Sequence, residues 1–374
     1  MISRRRLAPF GRLDRYVASL FVSSYATSLL IVLGLFFVMD MASNLDRYLQ
    51  PWPDGTKVPT STILRFYALN VPFLFLQSAP FVTLTAGMFT IVRLLKSNEI
   101  EACLAAGISA RRTLLPVFLG GLVVASFVFG LREWMSVSLV PKRDAIRYML
   151  TEKQHERVYT KLWLRDLNGS VVRLGEFRPA VGEPPVAEVR DLRAILRDKR
   201  GTISIEADRA VWANREGGPA WHLEGGVRKI VGEEARTLQS VEWLDGFEFT
   251  PEMALTFQRN LSNPLELSFA EARSLALRDP DNVVYQTLLQ YHLTFPLANL
   301  VLLLIGVPLL LRHDRGSGAE GLAKGLLLCV FFFGFDFVFR NLGIQGDLDP
   351  LVASWAPLIL FGSVGVVLYD SIAT

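Results

Sequence analysis

The chain has 374 residues, of which 51% are hydrophobic, and its mean hydropathy is +0.32. This composition is too apolar for an ordinary soluble protein, so much of the chain must lie in lipid. The net charge of only +3 excludes the strongly basic surface by which proteins bind nucleic acid. The two cysteines, Cys103 and Cys329, fall in or beside apolar segments, and the polar middle of the chain therefore has no internal disulfide.

Six apolar segments are long enough to cross a membrane, because about 20 helical residues span a hydrocarbon core roughly 30 Å thick. They cover about residues 17–39, 68–94, 113–132, 285–311, 321–339 and 351–369. The first is too long for the core of a signal peptide and has no clear cleavage site, so we interpret it as a retained anchor. The pattern predicts a membrane α-helical protein with three spans in residues 1–140 and three in residues 281–374.

Basic residues near the span ends predict the orientation of these helices. If all six segments cross, one side of the membrane receives most of the basic residues, namely the N-terminal arginines, Arg93, Lys96, Arg111, Arg112, Arg312, Arg315 and Lys324. The short loops on the other side carry few, namely Arg47, Lys57 and Arg340. We therefore expect both termini in the cytoplasm and residues 141–280 outside it, in the periplasm of a Gram-negative cell.

The connection between the second and third spans predicts a short helix over about residues 97–108. Ser97 or Asn98 can cap the free N–H groups of its first turn, and Glu99 and Glu101 suit the positive end of the helix dipole. Gly107, after Ala106, can take the left-handed conformation that ends a helix. From spacing alone, this segment is more typical of a short amphipathic helix that rests at the membrane interface.

Residues 141–280 change to a charged sequence with the two-residue alternation of half-buried strands. We predict strands at residues 158–164, 170–174, 202–207, 209–213, 221–223, 228–231 and 241–250. Asn168-Gly169 between the first two is a strong signal for a hairpin turn. The strands predict a small antiparallel β-sandwich, and the helical periodicity of residues 268–278 leads back to the membrane.

Ionisable residues in or beside the spans form a second group of candidates, because charge at lipid depth is costly unless it faces a cavity or a partner. Asp40 and Arg47 follow the first apolar run, whereas Asp336 and Arg340 are four residues apart in the fifth span and share a helix face. They contact a polar substrate or form a self-contained ion pair at the interface.

The chain lacks a nucleotide-binding Gly-x4-Gly-Lys-Ser/Thr loop and the motifs His-Glu-x2-His and Gly-x-Ser-x-Gly. The segment from Gly316 to Gly321 fits a dinucleotide fingerprint by letter, but it lies in a turn between two spans rather than after a strand. These observations favour a transport subunit without its own ATPase. Two alternatives remain. One is an ion-driven secondary transporter, in which the intramembrane acids carry protons, and the other is an intramembrane enzyme with a periplasmic β domain and Asp336 or Asp40 as its candidate acid.

Several segments in a fixed order make the chain similar to a known family. They are Asn98-Glu-Ile-x6-Gly-Ile-Ser109, Leu267-Ser268, Pro296-Leu-Ala-Asn-Leu-Val-Leu-Leu-Leu-Ile-Gly-Val-Pro308, Gly343-Ile-Gln-Gly346 and Trp355-Ala-Pro357. Together with the three-plus-three arrangement of spans around a β-rich domain, they resemble the LptF/LptG permease family, the membrane subunits of the bacterial lipopolysaccharide exporter. The resemblance covers nearly the whole chain.

This resemblance implies a membrane permease of an ABC transporter that extracts lipopolysaccharide from the inner membrane and passes it to a periplasmic bridge. The implied partners are a dimer of LptB-type cytoplasmic ATPase, a second permease of the same family, and LptC-like and LptA-like bridge proteins. The chain itself needs no cofactor, since its ATPase partner uses the ATP. Residues 141–280 are implied to form a jellyroll-like fold.

The resemblance also implies roles for residues. The coupling segment that rests on the ATPase comprises Ser97, Asn98, Glu99, Glu101, Ala106 and Gly107, with Glu99 as its acidic residue. The first and fifth spans are implied to form lateral gates, so that Asp40, Arg47, Asp336 and Arg340 contact phosphates and sugars of the lipid. His292 stands where relatives carry Arg or Lys, and because a free histidine is mostly uncharged at neutral pH, polar packing at the span end is an equal alternative to anion binding.

Overall fold

The computed structural model describes residues 11–52, 55–152, 158–166, 169–181, 186–198, 201–231, 239–247, 249–262, 266–311 and 318–372. The helices in these residues are α1 (Arg12–Leu49), α2 (Thr60–Lys96), α3 (Glu99–Ala105), α4 (Ala110–Ser138), α5 (Val140–Glu152), α6 (Pro251–Ser262), α7 (Phe269–Arg278), α8 (Val283–Leu311), α9 (Gly318–Gln345) and α10 (Pro350–Asp370). The strands are β1 (Tyr159–Arg165), β2 (Val171–Val181), β3 (Val186–Asp198), β4 (Gly201–Arg215), β5 (Gly218–Glu224), β6 (Val227–Val231) and β7 (Gln239–Ser240).

Six helices of the described residues, α1, α2, α4, α8, α9 and α10, are long and apolar enough to cross a membrane. An antiparallel β domain is inserted between the third and the fourth of them, and the predicted fold class is therefore confirmed. Most of these helices extend beyond the apolar runs that predicted them. In α1, for example, Asn44 donates a hydrogen bond of 2.8 Å to Asp40 one turn earlier, and the helix continues to Leu49.

The chain forms two compact units. The helical unit contains residues up to Asp46, residues 67–135 and residues from Gln286 onwards, whereas the β unit contains residues 47–66 and 136–285. In the helical unit, the fully buried Leu303 of α8 lies against Gly87 of α2 and Gly121 of α4, where an added Cβ would overlap its side chain. These two glycines let three spans approach closely, since packing in lipid depends on small residues at helix contacts.

The β unit is built on one antiparallel sheet, in which the described strands follow the order β1-β2-β3-β4-β6-β7 and β5 also pairs with β4. β4 is the longest strand, with 15 residues. It pairs with β3 from Asp198↔Gly201 to Glu188↔Val211, with β6 along its first half and with β5 along its second half. Leu174 of β2 and Leu192 of β3 are direct neighbours in this sheet.

Four residues, one on each of β1 to β4, lie opposite one another where the regular pairing is interrupted. We call Lys161, Gly175, Asp191 and Asp208 the crossing row. Lys161 and Asp191 have left-handed φ angles of 59° and 51°, which non-glycine residues rarely adopt. Gly175 lacks room for a side chain, because an added Cβ would lie 2.7 Å from Cβ of Asp191.

The crossing row changes which residues of each strand face the core. In β4, Ile205 and Ala207 are buried at the regular spacing of two, but the next buried residue is Ala210. In β2, Leu174 is followed by Phe177 in the same way. One extra residue in each strand therefore interrupts the alternation. Odd-numbered residues of β4 face the core before the crossing row and even-numbered residues after it, as happens at a β-bulge.

Several predictions for the β unit were wrong in detail. Residues 202–207 and 209–213 form the single strand β4, and β3 was not predicted. Most of the predicted strand 241–250 has no regular structure, although Trp243 forms an isolated bridge with His222. The helices α5 and α6 were also not predicted, whereas α7 begins, as expected, after Ser268, whose side chain forms a capping box with Glu271.

One predicted turn falls partly outside the described residues. Asn168 of the Asn168-Gly169 pair is not among them, and neither are Arg312, His313, Asp314 and Arg315 of the predicted hairpin between the fourth and fifth spans. Gly169 has a left-handed φ of 77°, and its N–H donates to the carbonyl of Asp166 at 2.9 Å. Gly169 therefore has the left-handed conformation that was expected of it.

Candidate functional site

The predicted short helix after the second span is α3, which is confined to Glu99–Ala105. It begins differently from the prediction. Asn98 is left-handed, with φ 56° and ψ 22°, and its side chain makes no capping hydrogen bond. A capping side chain requires an extended backbone at that position, so the expected cap by Asn98 is not formed.

Ser97 and Tyr16 instead hold the carboxylate of Glu99. Ser97 Oγ lies 2.8 Å from Glu99 Oε1 and 2.9 Å from the carbonyl oxygen of Arg93. The single hydroxyl proton of Ser97 donates to one of these two acceptors at a time. The hydroxyl of Tyr16, in the first turns of α1, donates to Glu99 Oε1 at 2.9 Å. Glu99 is therefore linked both to the end of α2 and to the beginning of α1.

The C-terminal end of α3 is as predicted. Gly107 has a φ of 76°, and its N–H donates to the carbonyl of Leu104 at 2.9 Å, while the N–H of Ile108 donates to Cys103 at 2.9 Å. These two bonds form a Schellman motif after Ala106 and satisfy carbonyls that the helix end leaves free. Since no atom lies within 4 Å of a Cβ added at Gly107, its requirement is conformational.

One face of α3 is anchored and the other is free for contact. Ile100 is buried in the core of the helical unit. Glu101, Leu104 and Ala105 are exposed. α3 is therefore a short helix with one buried apolar anchor and an exposed face of mixed polarity.

A partly buried ion pair connects α1 and α4 near the same end of the helical unit. Nη2 of Arg112 donates to Asp14 Oδ2 at 2.8 Å, and Nη1 binds Oδ1 of the same carboxylate. The side chain of Asp14 is 5% exposed, and it also accepts a 2.8 Å bond from the N–H of Gly11. Asp14 and Tyr16 were not predicted to be site residues. Arg112 was used only to predict the orientation of the spans in the membrane.

The predicted gate residues of the helical unit form two separate groups. Arg340 Nη1 donates to Asp336 Oδ2 at 3.4 Å, and its guanidinium lies 4.6 Å above the ring of Tyr291 on α8. Asp40 accepts its bond from Asn44 within α1, and its buried Oδ2 has no hydrogen-bond partner. Arg47 belongs to the β unit, where its guanidinium donates to the carbonyl of Thr151 at 3.3 Å.

His292 is 1% exposed and directs Nδ1 to the carbonyl oxygen of Leu288 on its own helix, at 2.5 Å. This contact favours the packing interpretation of His292 over anion binding. A neighbouring residue that the sequence interpretation overlooked is Arg132 on α4, which is 9% exposed and lies 5.0 Å above the ring of Phe295. Its signal in the sequence was the charged pair Arg132-Glu133 at the end of the third apolar segment.

The sequence profile described as lipopolysaccharide export system permease LptF/LptG matches residues 15–371. The chain belongs to the LptF/LptG family. The match includes all six membrane-length helices, α3 and the inserted β domain, which makes the chain a transport subunit and a multi-pass protein of the inner membrane. A search of curated proteins finds no match.

Proposed function

We propose that this LptF/LptG permease is the membrane subunit of an ABC transporter that extracts lipopolysaccharide from the inner membrane and passes it to a periplasmic bridge. A separate cytoplasmic ATPase dimer supplies the energy, and α3 is the helix on which it acts. The hydrogen bond from Tyr16 to Glu99 carries this proposal, because it joins the exposed helix directly to a membrane span.

The mechanism transmits a rigid-body movement. α3 is too short to bend and is anchored by Ile100 and by its Schellman motif, so a push on its exposed face displaces it as a unit. Tyr16 passes this movement to α1. The Arg112–Asp14 pair makes the start of α4 move together with α1. The movement of α1 then opens or closes a path for lipid along that span.

The second permease completes the lipid path in this proposal. α1 and α9 are the least buried of the membrane-length helices, whereas α8 is the most buried. Their exposed apolar side chains include Leu30 and Leu35 on α1 and Val330 and Phe337 on α9. Such surfaces suit acyl chains or a second copy of this fold, and an apolar passage is required because each methylene exposed to water costs about 0.8 kcal/mol.

The orientation follows the basic residues. Both termini and α3 lie in the cytoplasm, where the ATPase is, and the β unit lies in the periplasm. There the β domain hands the lipid to LptC-like and LptA-like bridge proteins. Asp40, Arg47, Asp336 and Arg340 belong to spans or span ends on the periplasmic side, along the route of the lipid headgroup. His292 is packed inside the helical unit and does not contact the headgroup.

The proposal is tested with the purified complex in proteoliposomes, by measuring ATP hydrolysis and ATP-dependent release of lipopolysaccharide to an acceptor. The wild-type chain should release lipid only with the ATPase and ATP. Glu99→Ala should reduce release while leaving insertion of the chain intact, and Glu320→Ala, a matched change in the first turn of α9, should release lipid normally. Full release by Glu99→Ala, or release without the ATPase, contradicts the proposal.

A further inference from the structure

Two stretches by which the chain enters and leaves the β unit are linked to each other by side chains within that unit. One stretch is the end of α4 together with α5, and the other is residues 266–271, which precede α8 and contain the start of α7. Ser136 in the last turn of α4 donates a hydrogen bond to Glu271 Oε2. Arg143 of α5 binds the carboxylate of Glu266, which lies 123 positions later. We call these two contacts the junction clamp.

The contact of Ser136 is additional to what α7 needs for its own start. The carboxylate of Glu271 accepts from the N–H of Ser268 at 2.9 Å, and the N–H of Glu271 donates to Ser268 Oγ at 3.0 Å. This capping box satisfies the first turn of α7 without any residue of α4. Ser136 is only 1% exposed, and Glu271 supplies an acceptor for its hydroxyl. The hydrogen bond therefore joins α4 to α7 rather than ending a helix.

The contact of Arg143 is an ion pair that is largely shielded from solvent. The side chain of Arg143 is 4% exposed, and that of Glu266 is 22% exposed. Asp144, the next residue of α5, accepts a further bond from Arg143 at 2.8 Å. Separating Arg143 from Glu266 would leave a buried guanidinium with less compensation for its lost water, which is costly. This pair therefore holds α5 to the second stretch independently of Ser136.

Both sides of the clamp have rigid supports. On one side, Leu267 and Leu275 lie in the hydrophobic core of the β unit, so the start of α7 is fixed to the sheet. On the other side, α4 is one helix of 29 residues. Its first turn carries Arg112, which is paired with Asp14 of α1. A displacement of the start of α4 is therefore carried along a single helix to the clamp.

We propose that the junction clamp makes the β unit follow α4, so that Ser136, Arg143, Glu266 and Glu271 are positioning residues for the transfer of lipid from the spans to the β domain. This inference rests on the exporter function proposed above. The movement that reaches α4 through Arg112 reaches the β domain in the same step, because the clamp stays closed while the ATPase acts on α3. Without the clamp, the ATPase still turns over, but lipid is passed on poorly.

The test compares the lipid released to a periplasmic acceptor per ATP hydrolysed by the complete permease complex in proteoliposomes. Ser136→Ala combined with Glu266→Ala removes both contacts, and this clamp variant should lower the ratio severalfold at an unchanged rate of ATP hydrolysis. Ser126→Ala, at an exposed serine of α4 whose hydroxyl donates within its own helix, should keep the wild-type ratio. A wild-type ratio in the clamp variant overturns the proposal.

Ser268→Ala separates positioning from stability. It removes the capping hydroxyl of α7 and keeps Ser136 and Arg143 with their acceptors, so the melting temperature should fall while the ratio stays the same. If the ratio falls with the melting temperature in Ser268→Ala as it does in the clamp variant, the two contacts serve only the fold, and the proposal is wrong.

A covalent link that replaces the hydrogen bond tests whether the clamp stays closed. In a chain whose Cys103 and Cys329 are replaced by alanine, Ser136→Cys with Glu271→Cys lacks the bond, and a short thiol–thiol crosslinker can join the two positions. The ratio should be low before crosslinking and should recover after it. A ratio that does not recover, or that falls further, overturns the clamp, because the two positions would then have to separate during transport.

Spin labels separate this inference from the exporter function. Labels at the exposed positions Lys142 on α5 and Arg273 on α7 should show one narrow distance distribution that broadens in the clamp variant, and this measurement needs no transport. If the distribution broadens but the wild type releases no lipid, the clamp holds the junction and the exporter proposal is wrong. If the wild type exports lipid and the distribution stays narrow in the clamp variant, the clamp is wrong and the exporter proposal stands.

Discussion

The hydroxyl of Tyr16 donates a 2.9 Å hydrogen bond to the carboxylate of Glu99, so that the first span holds the short helix α3 directly. Removing this hydroxyl in Tyr16→Phe should weaken transmission from α3 to α1. We expect release of lipopolysaccharide per ATP hydrolysed to fall severalfold, while the ATPase still assembles with the chain. The measurement is the ratio of lipid released to phosphate produced in proteoliposomes.

Tyr369→Phe serves as the control for that experiment, because it makes the same change in α10 and keeps the ring that contacts Phe118 and Arg111. Its ratio should match that of the wild type. An unchanged ratio in Tyr16→Phe would mean that α3 acts on the spans by another route.

The Asp14–Arg112 pair should stabilise the helical unit more than its exposed neighbour does. Asp14→Asn leaves Arg112 without its bidentate partner, and we expect a loss of about 1–2 kcal/mol in unfolding free energy. Asp370→Asn breaks the pair with Arg111, but Asp370 is 82% exposed, and the change should be small. Thermal unfolding of the detergent-solubilised chain measures both, and equal effects would show that burial does not matter here.

Gly175 in the crossing row should not tolerate a side chain. In Gly175→Ala the new Cβ would lie 2.7 Å from Cβ of Asp191 and 2.9 Å from the carbonyl oxygen of Arg190, so the strands must shift. We expect a loss of about 1–3 kcal/mol, as for other overpacked sites. Gly130→Ala, where no atom lies within 4 Å, should not destabilise the chain. Comparable stability of the two variants would contradict the close contact.

Glu188 should make the β unit sensitive to acid. This buried carboxylate accepts bonds from Arg209 at 3.2 Å and from Arg190 at 2.8 Å, and these arginines hold the pKa of Glu188 below its ordinary value of 4.5. Because the folded state has the lower pKa, the stabilisation is present above that ordinary value and is lost as the pH falls through the lowered pKa.

Glu188→Gln should therefore reduce the melting temperature at neutral pH and flatten its decline on acidification. Melting of the full chain in detergent, followed by tryptophan fluorescence, measures this, since the buried Trp221 stacks on Phe249 in the same core. Glu224→Gln changes an exposed partner of Arg209 and should retain the wild-type slope. The same slope in all three proteins would rule out Glu188 as the acid-sensitive group.

The sequence predicted the parts of the fold that depend on composition over many residues. Long apolar runs identify spans because lipid allows few other sequences, and the charged stretch between them identifies the inserted domain. The predicted strands failed at the crossing row. The alternation of buried and exposed residues breaks at Asp191 in β3 and at Asp208 in β4. For this reason β3 was not predicted, and β4 was predicted as two strands.

The candidate site was predictable where it rests on backbone conformation. Gly107 predicts the end of α3, because few other residues adopt its left-handed φ angle. The Tyr16–Glu99 bond joins residues 83 positions apart, and no local pattern reveals such a contact. Arg132 looked like the boundary of a span, since its burial and its free Nη1 exist only once α8 packs beside α4.

The central claim, that a cytoplasmic ATPase acts on α3, is tested most directly by photocrosslinking in intact cells from a photoreactive amino acid at the exposed position of Glu101. The claim predicts a crosslinked product between this chain and the ATPase subunit. A chain that is inserted and stable but crosslinks only to periplasmic proteins would contradict it, because α3 would then lie on the wrong side of the membrane.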